Sequence, residues 1–406
     1  MLCSYPDNPR DLYSRLYSLR ALIKVLYTRL KTLKTKKTSH ADGIFFLIVI
    51  LLAVYGTLMV YSAGFSYADF RYGDSLYFVK KQSIWLILGV VAMLVSSLVD
   101  PAVYKRFTPY FYLTTLILLI MVLIFGFVGN GAQRWISIGP ITIQPSEIAK
   151  LSLIMAMSRY FSDNSERALS TKSNRRIFWD GTVFPVLIML IPIVLVMLQK
   201  HLSCIIILGA IGVLMISASG AGLKYLSAFL GVGVAGVSYI ALFTDYTKER
   251  ILVWQNPEAY KLTGGWQTLQ GLMAIGSGGI FGLGFGKSLL KHSYVSEPAN
   301  DMIFAILCEE LGFVGALLAL GLFAALIIRG FGIAMRAEDD FSRMIAIGIS
   351  IKMAIQVLLN VAVVTNSIPN TGISLPFFSY GGSSLVMLFF EMGILLSISK
   401  RAKILK

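Results

Sequence analysis

One carboxylate stands where it could act as a general base. Asp301 follows Pro298 and precedes an apolar run, a pattern typical of an acidic residue in the first turn of a helix. An acidic residue there also complements the helix dipole, which is the structural alternative. A carboxylate at the boundary between an apolar layer and water can accept a proton from a substrate hydroxyl. Asp301 is therefore the candidate catalytic residue.

Cationic and aromatic residues in other polar segments are candidates for contacts with a substrate. Arg134 precedes Trp135; the pair offers an anion-binding fork and a flat face for a sugar ring, although Trp135 alone is typical of an interfacial aromatic belt. Lys150 lies one helical turn beyond Ser146, an unusual depth for a lysine unless it faces protein or water. The remaining candidates lie in two later polar segments: Arg250, Gln267, Ser379, Tyr380, Gly381 and Ser383.

A glycine-rich run over residues 276–288 does not predict a nucleotide site. Its ending resembles a P-loop, but Phe281 stands where that motif needs its first glycine. The glycines instead predict tight turns and close backbone approach at the membrane surface. His292, which follows the run, is a lone histidine and is assigned no role.

Ionisable residues also fall inside apolar runs. Glu309 and Glu310 follow Asp301 in the same run, and Lys352 and Glu391 lie at similar depth in the last two runs. Ionisable side chains within a bilayer have to be paired or face a cavity. We expect Lys352 to pair with Glu309 or Glu310, as a structural link between helices.

These side chains have to be positioned by membrane-spanning helices. Hydrophobic residues make up 56% of the 406-residue chain and charged residues 14%, against about 25% charged in an ordinary soluble domain. This composition excludes a disordered protein, a disulfide-rich secreted scaffold and a soluble enzyme. The expected fold is an all-α polytopic membrane protein of about ten transmembrane helices. They are predicted near residues 44–64, 82–99, 108–128, 146–162, 181–198, 202–219, 224–243, 299–327, 342–366 and 381–399.

The distribution of charge predicts the topology. The net charge is +15, and basic residues concentrate in the first 42 residues, in alternate loops and at the C-terminus. Under the positive-inside rule both termini are cytoplasmic, and the polar segments 129–146, 244–300 and 367–383 lie outside. The 244–300 segment, between spans seven and eight, is a large extracytoplasmic loop, and loops of such length are usually functional.

The predicted organisation is a basic cytoplasmic tail over residues 1–42, a transmembrane domain over 43–400 and a short cytoplasmic tail over 401–406. The first tail is either solvated or lies on anionic lipid, and it is not a cleavable signal peptide. Because the charge follows membrane topology, we expect no nucleic acid partner. Cys3, Cys204 and Cys308 make neither a disulfide framework nor a zinc cluster, so no tightly bound metal or cofactor is predicted.

The motifs resemble the SEDS family, the bacterial shape, elongation, division and sporulation proteins FtsW, RodA and SpoVE. The resemblance runs over residues 44–399 and rests on separated motifs in the expected order. They are Asn-Gly-Ala-Gln-Arg-Trp at 130–135, Gln-Pro-Ser-Glu at 144–147, Asp301 with Glu-Glu-Leu-Gly at 309–312, and Pro-x-Thr-Gly-x-x-Leu-Pro-x-x-Ser-Tyr-Gly-Gly-Ser at 369–383.

The resemblance implies a peptidoglycan glycosyltransferase that polymerises lipid II into β-1,4 glycan strands, with inversion, at the outer face of the bacterial cytoplasmic membrane. Asp301 occupies the position of the family's essential aspartate and would deprotonate the 4-hydroxyl of the acceptor N-acetylglucosamine. The leaving group, undecaprenyl pyrophosphate, would be stabilised by cationic side chains or by a divalent cation. Arg134, Arg250 and Lys150 are the candidate cations, whereas Mg or Mn would bind mainly through the pyrophosphate. Trp135 also matches a family position.

The family works with a single-span class B penicillin-binding protein, a transpeptidase, and with other divisome membrane proteins, so such partners are implied. One stretch departs from the pattern, because many relatives carry Pro-Asp-Leu-Gly where this chain has Lys-His-Leu-Ser at 200–203. The role of that aspartate is not carried over. The His-Leu-Ser form favours a division-type or sporulation-type member over a RodA-like one.

Two alternatives stay open at this point. A lipid II flippase would use polar residues in both leaflets, and the mid-membrane charges could serve one; the concentration of polar motifs outside favours an enzyme. A non-catalytic scaffold for a transpeptidase would have no need of Asp301.

Overall fold

The structure is a computed structural model that describes residues 41–129, 132–139, 141–169, 178–220, 231, 245–262, 264–289, 291 and 299–402. Several features named above lie outside the described residues. They are the tail over 1–40, all of the seventh predicted span except Gly231, His292, and residues 403–406.

Helices account for most of the described residues, and their positions follow the apolar runs. In chain order they are α1 (Gly43–Tyr72), α2 (Tyr77–Leu98), α3 (Pro101–Phe125), α4 (Pro145–Leu169), α5 (Trp179–Leu198), α6 (Leu202–Ala218), α7 (Asp245–Gln255), α8 (Gly265–Gly278), α9 (Ile303–Met335), α10 (Asp340–Val364) and α11 (Gly382–Ser399). The first residues of α5, Trp179–Val183, are in a π-helix.

By length and composition, seven of the described helices could cross a membrane: α1, α2, α3, α5, α9, α10 and α11. The shorter apolar helix α6 and the helix α4 cover the sixth and fourth predicted spans. The polytopic helical class is therefore confirmed, while the number of ten spans stays a prediction.

Short polar residues before the helices set several of the helix starts. Asp42 accepts a hydrogen bond from Phe45 N at 3.0 Å, and Asp339 accepts one from Ser342 N at 2.9 Å. These side chains satisfy N–H groups that have no carbonyl partner within the first turn of a helix.

The first polar segment folds differently from the all-α expectation. It forms a small antiparallel sheet in the order β1 (Phe127–Gly129), β2 (Ala132–Ile138) and β3 (Ile141–Ile143). Trp135 pairs with Phe127 across β1 and β2. The alternation of apolar and polar residues over 136–138 and 141–143 is typical of strands, and the all-α expectation overlooked it.

Helix α9 is broken at Gly312, and the break is filled by the glycine-rich run. Gly312 has φ 65° and ψ −163°, a conformation essentially restricted to glycine. In an unbroken helix the carbonyls of Glu309 and Glu310 would accept from the N–H groups four residues later. Here they accept from Leu283 N and Gly284 N, each at 2.9 Å.

The other side of the break is satisfied by the same run. Phe313 N donates to Gly279 O at 2.9 Å, and Val314 N donates to Ile280 O at 3.1 Å. Four hydrogen bonds to the run thus replace the two helical bonds that the break removes. Unpaired backbone groups would be costly among apolar helices, so the break and the run depend on each other.

Helix α8 leads the glycine run down beside α9. A Cβ added to Gly271 would lie 3.5 Å from Met302 Sδ, and a Cβ added to Gly278 would overlap the carbonyl of Cys308. The chain between residues 265 and 289 therefore extends along α9 to the level of Gly312. The predicted tight turns and close backbone approach are confirmed, and the backbone that the glycines approach is that of α9. The position of the run at the membrane surface stays a prediction.

A buried ionic cluster holds the end of this segment. Lys291 Nζ donates to Glu310 Oε1 at 3.0 Å, and Ser62 of α1 donates to Glu310 Oε2 at 2.5 Å. The Glu309 carboxylate accepts from Ser288 Oγ and from Leu289 N. The Glu309 and Glu310 carboxylates on α9 therefore bind residues 288, 289 and 291, at and just after the end of the glycine-rich run, and Glu310 also binds α1.

The predicted pairing of Lys352 with Glu309 or Glu310 is wrong. Lys352 on α10 donates to both carboxylate oxygens of Glu391 on α11, at 2.6 and 2.7 Å, and both side chains are buried. Sequence position gave the depth of these groups but not the side of the helix on which each one lies. Lys352 and Glu391 link α10 to α11.

Basic residues gather at the end of the helices remote from Asp301, which we call the basic end. Arg329 and Arg336, near the end of α9, each lie 3.6 Å from Asp42. Arg401 lies 2.6 Å from Asp100. We call the opposite end, where α9 begins beside Asp301, the site end.

We expect Gly312→Ala to destabilise the protein by more than about 2 kcal/mol, because alanine is strained at this φ and ψ and its Cβ would overlap the inserted run. Gly321→Ala on the same helix is the matched control, since a Cβ there meets nothing within 4 Å, and it should be neutral or stabilising by up to about 1 kcal/mol. Thermal unfolding in detergent measures both. Equal melting temperatures for the two variants would contradict the account of the break.

Removing one member of the Lys352–Glu391 pair should cost about 3–5 kcal/mol, because the remaining charge is buried without its partner. The double variant Lys352→Met/Glu391→Leu should be more stable than either single variant. Arg343 and Asp340 form an exposed pair whose disruption should cost at most about 1 kcal/mol. A double variant less stable than both singles would show that the ion pair itself stabilises the fold.

Candidate active site

Asp301 lies in a turn at the site end, two residues before α9 begins at Ile303. It was expected in the first turn of the helix, and the difference arises because Met302 is the residue that caps α9. The side chain is partly exposed. A partly exposed carboxylate beside apolar helices can meet a substrate that comes from either phase.

The backbone on the N-terminal side of Asp301 is held by residues 379 and 380. Tyr380 N donates to Ala299 O at 2.8 Å, and Ser379 Oγ donates to Asn300 O at 2.7 Å. The Ser379 hydroxyl also accepts from Leu375 N at 2.7 Å. Ser379, a predicted substrate contact, is buried with its hydroxyl used in these two bonds.

The carbonyl of Asp301 itself is held by a helix. Asn360 on α10 donates through Nδ2 to Asp301 O at 3.0 Å and to Ile373 O at 2.7 Å. Three consecutive carbonyls, of residues 299, 300 and 301, therefore each accept a hydrogen bond from the C-terminal part of the chain. The backbone that carries the carboxylate is fixed.

The turn over residues 370–373 faces the carboxylate. A Cβ added to Gly372 would lie 3.8 Å from Asp301 Oδ2, and Gly372 has φ 70°, where a side chain is rarely tolerated. Gly372 N donates to Asn370 Oδ1 at 3.0 Å. Glycine here allows both the turn and the close approach of its backbone to the catalytic candidate.

Side chains from separate helices hold the same turn. Arg250 on α7 donates to Asn370 O, and Ser203 on α6 donates to Thr371 O. With Asn360 bonded to Ile373 O, the turn is tied to three helices. Such preorganisation means that little movement is needed when charge develops during a reaction.

The carboxylate also contacts the long loop. Gln267 on α8 donates through Nε2 to Asp301 Oδ1 at 3.3 Å and accepts through Oε1 from Asn370 Nδ2 at 3.4 Å. Two predicted residues, Arg250 and Gln267, are thus brought to the same site as Asp301. Asn370 connects the two, because its carbonyl accepts from Arg250 and its side chain donates to Gln267.

Arg134 and Lys150 lie in a second polar region at the start of α4. Arg134 donates to Lys200 O at 2.9 Å, and the buried Lys150 lies 2.7 Å from Glu147. Burial, together with the neighbouring Arg134, lowers the pKa of His201 to about 3, so this imidazole is neutral at pH 7. Ser203, two residues after His201, connects the region to the 370–373 turn.

A cavity lies between this region and the C-terminal segment. Its polar lining includes Glu147, Lys352, Gln356, Ser374, Ser379 and Ser384. Because Ser379 also bonds the backbone beside Asp301, the cavity adjoins the back of the site.

The remaining predicted residues are not grouped around the carboxylate. The Tyr380 ring packs against Phe78 with centroids 4.9 Å apart, and burial raises the pKa of its hydroxyl, which therefore stays protonated. Gly381 immediately precedes α11, and Ser383 lies in its first turn. Trp135 is half-buried in β2. Contact of these residues with a substrate stays a prediction.

Sequence reasoning missed Asn360 and Asn370 as parts of the site. Asn360 carries a recognisable signal, since it is an amide within an otherwise apolar run, and buried amides need hydrogen-bond partners. Asn370 lies within a motif that was quoted, but nothing in its type distinguished it from its neighbours.

Among the described residues, no group of three or more His, Cys, Asp or Glu side chains could hold a metal ion.

Comparison with known proteins places the chain in a family. A family model described as "Cell cycle protein", covering FtsW, RodA and SpoVE, matches residues 42–404. The match includes every described residue of the site.

Curated relatives match over nearly their whole length. Stage V sporulation protein E of Bacillus subtilis (strain 168) is 38% identical over 372 residues, 91% of this chain and 99% of the relative. A probable peptidoglycan glycosyltransferase FtsW of Geobacter metallireducens is 34% identical over 374 residues, covering 91% and 98%. Peptidoglycan glycosyltransferase MrdB of Escherichia coli (strain K12) is 32% identical over 373 residues, covering 90% and 95%.

Solved structures share the fold. A chain from a study titled "Structural coordination of polymerization and crosslinking by a peptidoglycan synthase complex" matches with a TM-score of 0.73 at 24% identity, covering 88% of this chain and 97% of that one. The rod shape determining protein RodA of Thermus thermophilus matches with a TM-score of 0.65 at 24% identity, covering 88% and 96%. From its sequence match over residues 42–404 and its apolar helices, the chain belongs to the FtsW/RodA/SpoVE family of multi-pass membrane proteins.

Proposed function

We propose that the protein is a peptidoglycan glycosyltransferase that joins lipid II units into β-1,4 glycan strands during cell division or sporulation. The observation that carries the proposal is the Asp301 carboxylate, fixed beside Gln267 and the Gly372 turn at one end of a membrane domain. Relatives of similar length named peptidoglycan glycosyltransferase support the reaction class. The similarity to a sporulation protein supports the biological setting.

Asp301 acts as the general base. Its carboxylate accepts the proton of the 4-hydroxyl of the acceptor N-acetylglucosamine, and the oxygen attacks the anomeric carbon of the donor sugar from the face opposite the pyrophosphate. The glycosidic bond forms as the bond from the anomeric carbon to the pyrophosphate oxygen breaks, so the configuration inverts. Undecaprenyl pyrophosphate leaves, and Asp301 then releases its proton to water.

Cationic side chains stabilise the leaving group. Arg250 donates to the carbonyl of Asn370, in the turn that faces the Asp301 carboxylate. This position makes Arg250 the first candidate for contact with the pyrophosphate. Arg134 and Lys150 form the second region, which Ser203 joins to the same turn. A divalent cation bound to the pyrophosphate would add to this charge.

The site faces the outside of the cytoplasmic membrane, and a class B penicillin-binding protein cross-links the product. The gathering of Arg329, Arg336 and Arg401 at the basic end supports this orientation, since positive residues favour the cytoplasmic side. The fold shared with a protein studied as part of a peptidoglycan synthase complex supports a partner of this kind. Other divisome membrane proteins belong to the same proposal.

Asp301→Asn should lower polymerisation of lipid II by about 10²–10⁴-fold, because the amide cannot accept the proton while its shape is retained. Purified protein in detergent, with its class B partner and divalent cation supplied, is assayed for glycan strands by gel electrophoresis. Asp340→Asn at the basic end is the matched control and should keep full activity. Wild-type activity in the Asp301 variant would remove this residue as the base.

A membrane-impermeant maleimide tests the orientation. In a Cys3→Ser background, with Cys204 and Cys308 buried, Asn256→Cys at the site end should be labelled on intact spheroplasts. Glu338→Cys at the basic end should be labelled only after lysis. Both positions are exposed, so the reverse pattern would place the site on the cytoplasmic side.

A further inference from the structure

Asn360 occupies a position that is costly for an amide. It lies on α10 within the run Leu358-Leu359-Asn360-Val361, and its side chain is fully buried. Burying an amide among apolar side chains is unfavourable unless it forms hydrogen bonds. The hydrogen bonds that offset this cost therefore indicate what Asn360 does.

Both amide hydrogens of Asn360 are used, and they join two walls of the site. Nδ2 donates to Asp301 O at 3.0 Å and to Ile373 O at 2.7 Å. One wall carries the carboxylate, and the other is the turn whose Gly372 backbone stands against that carboxylate. A single nitrogen thus bridges the backbone of the candidate base and the backbone of the turn that faces it.

The other bonds to this backbone come from a different source. Ala299 O and Asn300 O accept from Tyr380 N and Ser379 Oγ, which belong to the segment after the turn. Asn360 belongs instead to a 25-residue helix packed in the protein core. It ties the position of Asp301 to a rigid element.

We propose that Asn360 is a positioning residue for the glycosyl transfer: it holds the Asp301 backbone at a fixed distance from the Ile373 backbone, and so places the carboxylate against the acceptor hydroxyl. It does not touch the substrate. The kinetic part of this inference rests on the proposed function, whereas the structural part does not.

Asn360→Asp is the sharpest test, because it keeps the shape but replaces the donor with an acceptor that faces two carbonyls. We expect kcat for lipid II polymerisation to fall about 10–100-fold, as misplacement of a catalytic group by about 1 Å does, while KM changes less than about twofold. The control is Asn164→Asp, since Asn164 also donates through Nδ2 to a carbonyl, that of Tyr160, at 2.9 Å. It lies toward the basic end and should keep wild-type kinetics.

A double-variant cycle separates positioning from general damage to the fold. If Asn360 acts through Asp301, Asn360→Asp should not lower the residual activity of Asp301→Asn any further. An equal fold-loss in both backgrounds would overturn the proposal, as would a wild-type kcat in the single variant. A wild type that makes no polymer would instead count against the proposed function.

Hydrogen exchange tests the structural role of the two Asn360 bonds without an enzyme assay. Asn360→Asp should raise exchange of backbone amides in residues 299–303 and 371–376, with α1 and α11 unchanged. Unchanged exchange in those two segments would overturn the inference even if the enzyme is active. Should Asn360→Asp fail to fold, Asn360→Ser provides the same comparison with a shorter side chain that cannot reach both carbonyls.

Discussion

Backbone groups that are not bonded within a helix need other hydrogen-bond partners in apolar surroundings, and this requirement shapes both the break in α9 and the site around Asp301. At the break in α9, the carbonyls of residues 309 and 310 and the N–H groups of residues 313 and 314 bond to the glycine-rich run. At the site end, carbonyls 299, 300 and 301 each bond to the C-terminal part of the chain. The same physical need thus brings distant segments together and leaves Asp301 on a fixed backbone.

Buried charges obey a parallel rule. Lys150, Lys291 and Lys352 each lie within 3.0 Å of a carboxylate, and each pair joins or stabilises elements that pack around the site. Such pairs are costly to break but contribute little net stability compared with apolar packing. Members of two of the pairs instead line a polar interior next to the site. The cavity lined by Glu147 and Lys352 reaches Ser379, which bonds the backbone beside Asp301.

Much of the fold follows from the sequence, because an apolar run long enough to cross a bilayer has few alternatives to a helix. Asp301, Arg250 and Gln267 were also singled out by type and by their place in polar segments, and they meet around Asn370. Lys352 shows the limit of such reasoning. Its depth was evident, but its partner depends on the rotation of α10 relative to α9 and α11, which depth alone does not determine.

The glycine run and Asn360 show a second limit. The glycines predicted turns and close approach of another backbone, but a glycine does not indicate which backbone will approach it. Asn360 was overlooked because its two acceptors are backbone carbonyls in segments remote in sequence. The amide itself is visible in the sequence, but a side chain that bonds backbone carbonyls has no complementary residue there, so the structure was needed to identify its partners.

The most direct test of the account is a structure of the Asp301→Asn variant with lipid II bound, in a lipid nanodisc with the class B partner. If Asp301 is the general base, the acceptor sugar places its 4-hydroxyl within about 3 Å of the substituted side chain, the reach of a hydrogen bond. The account also predicts that the pyrophosphate of the donor lies toward Arg250. A saccharide bound away from position 301, with no ordered sugar hydroxyl within reach of it, would contradict the central claim.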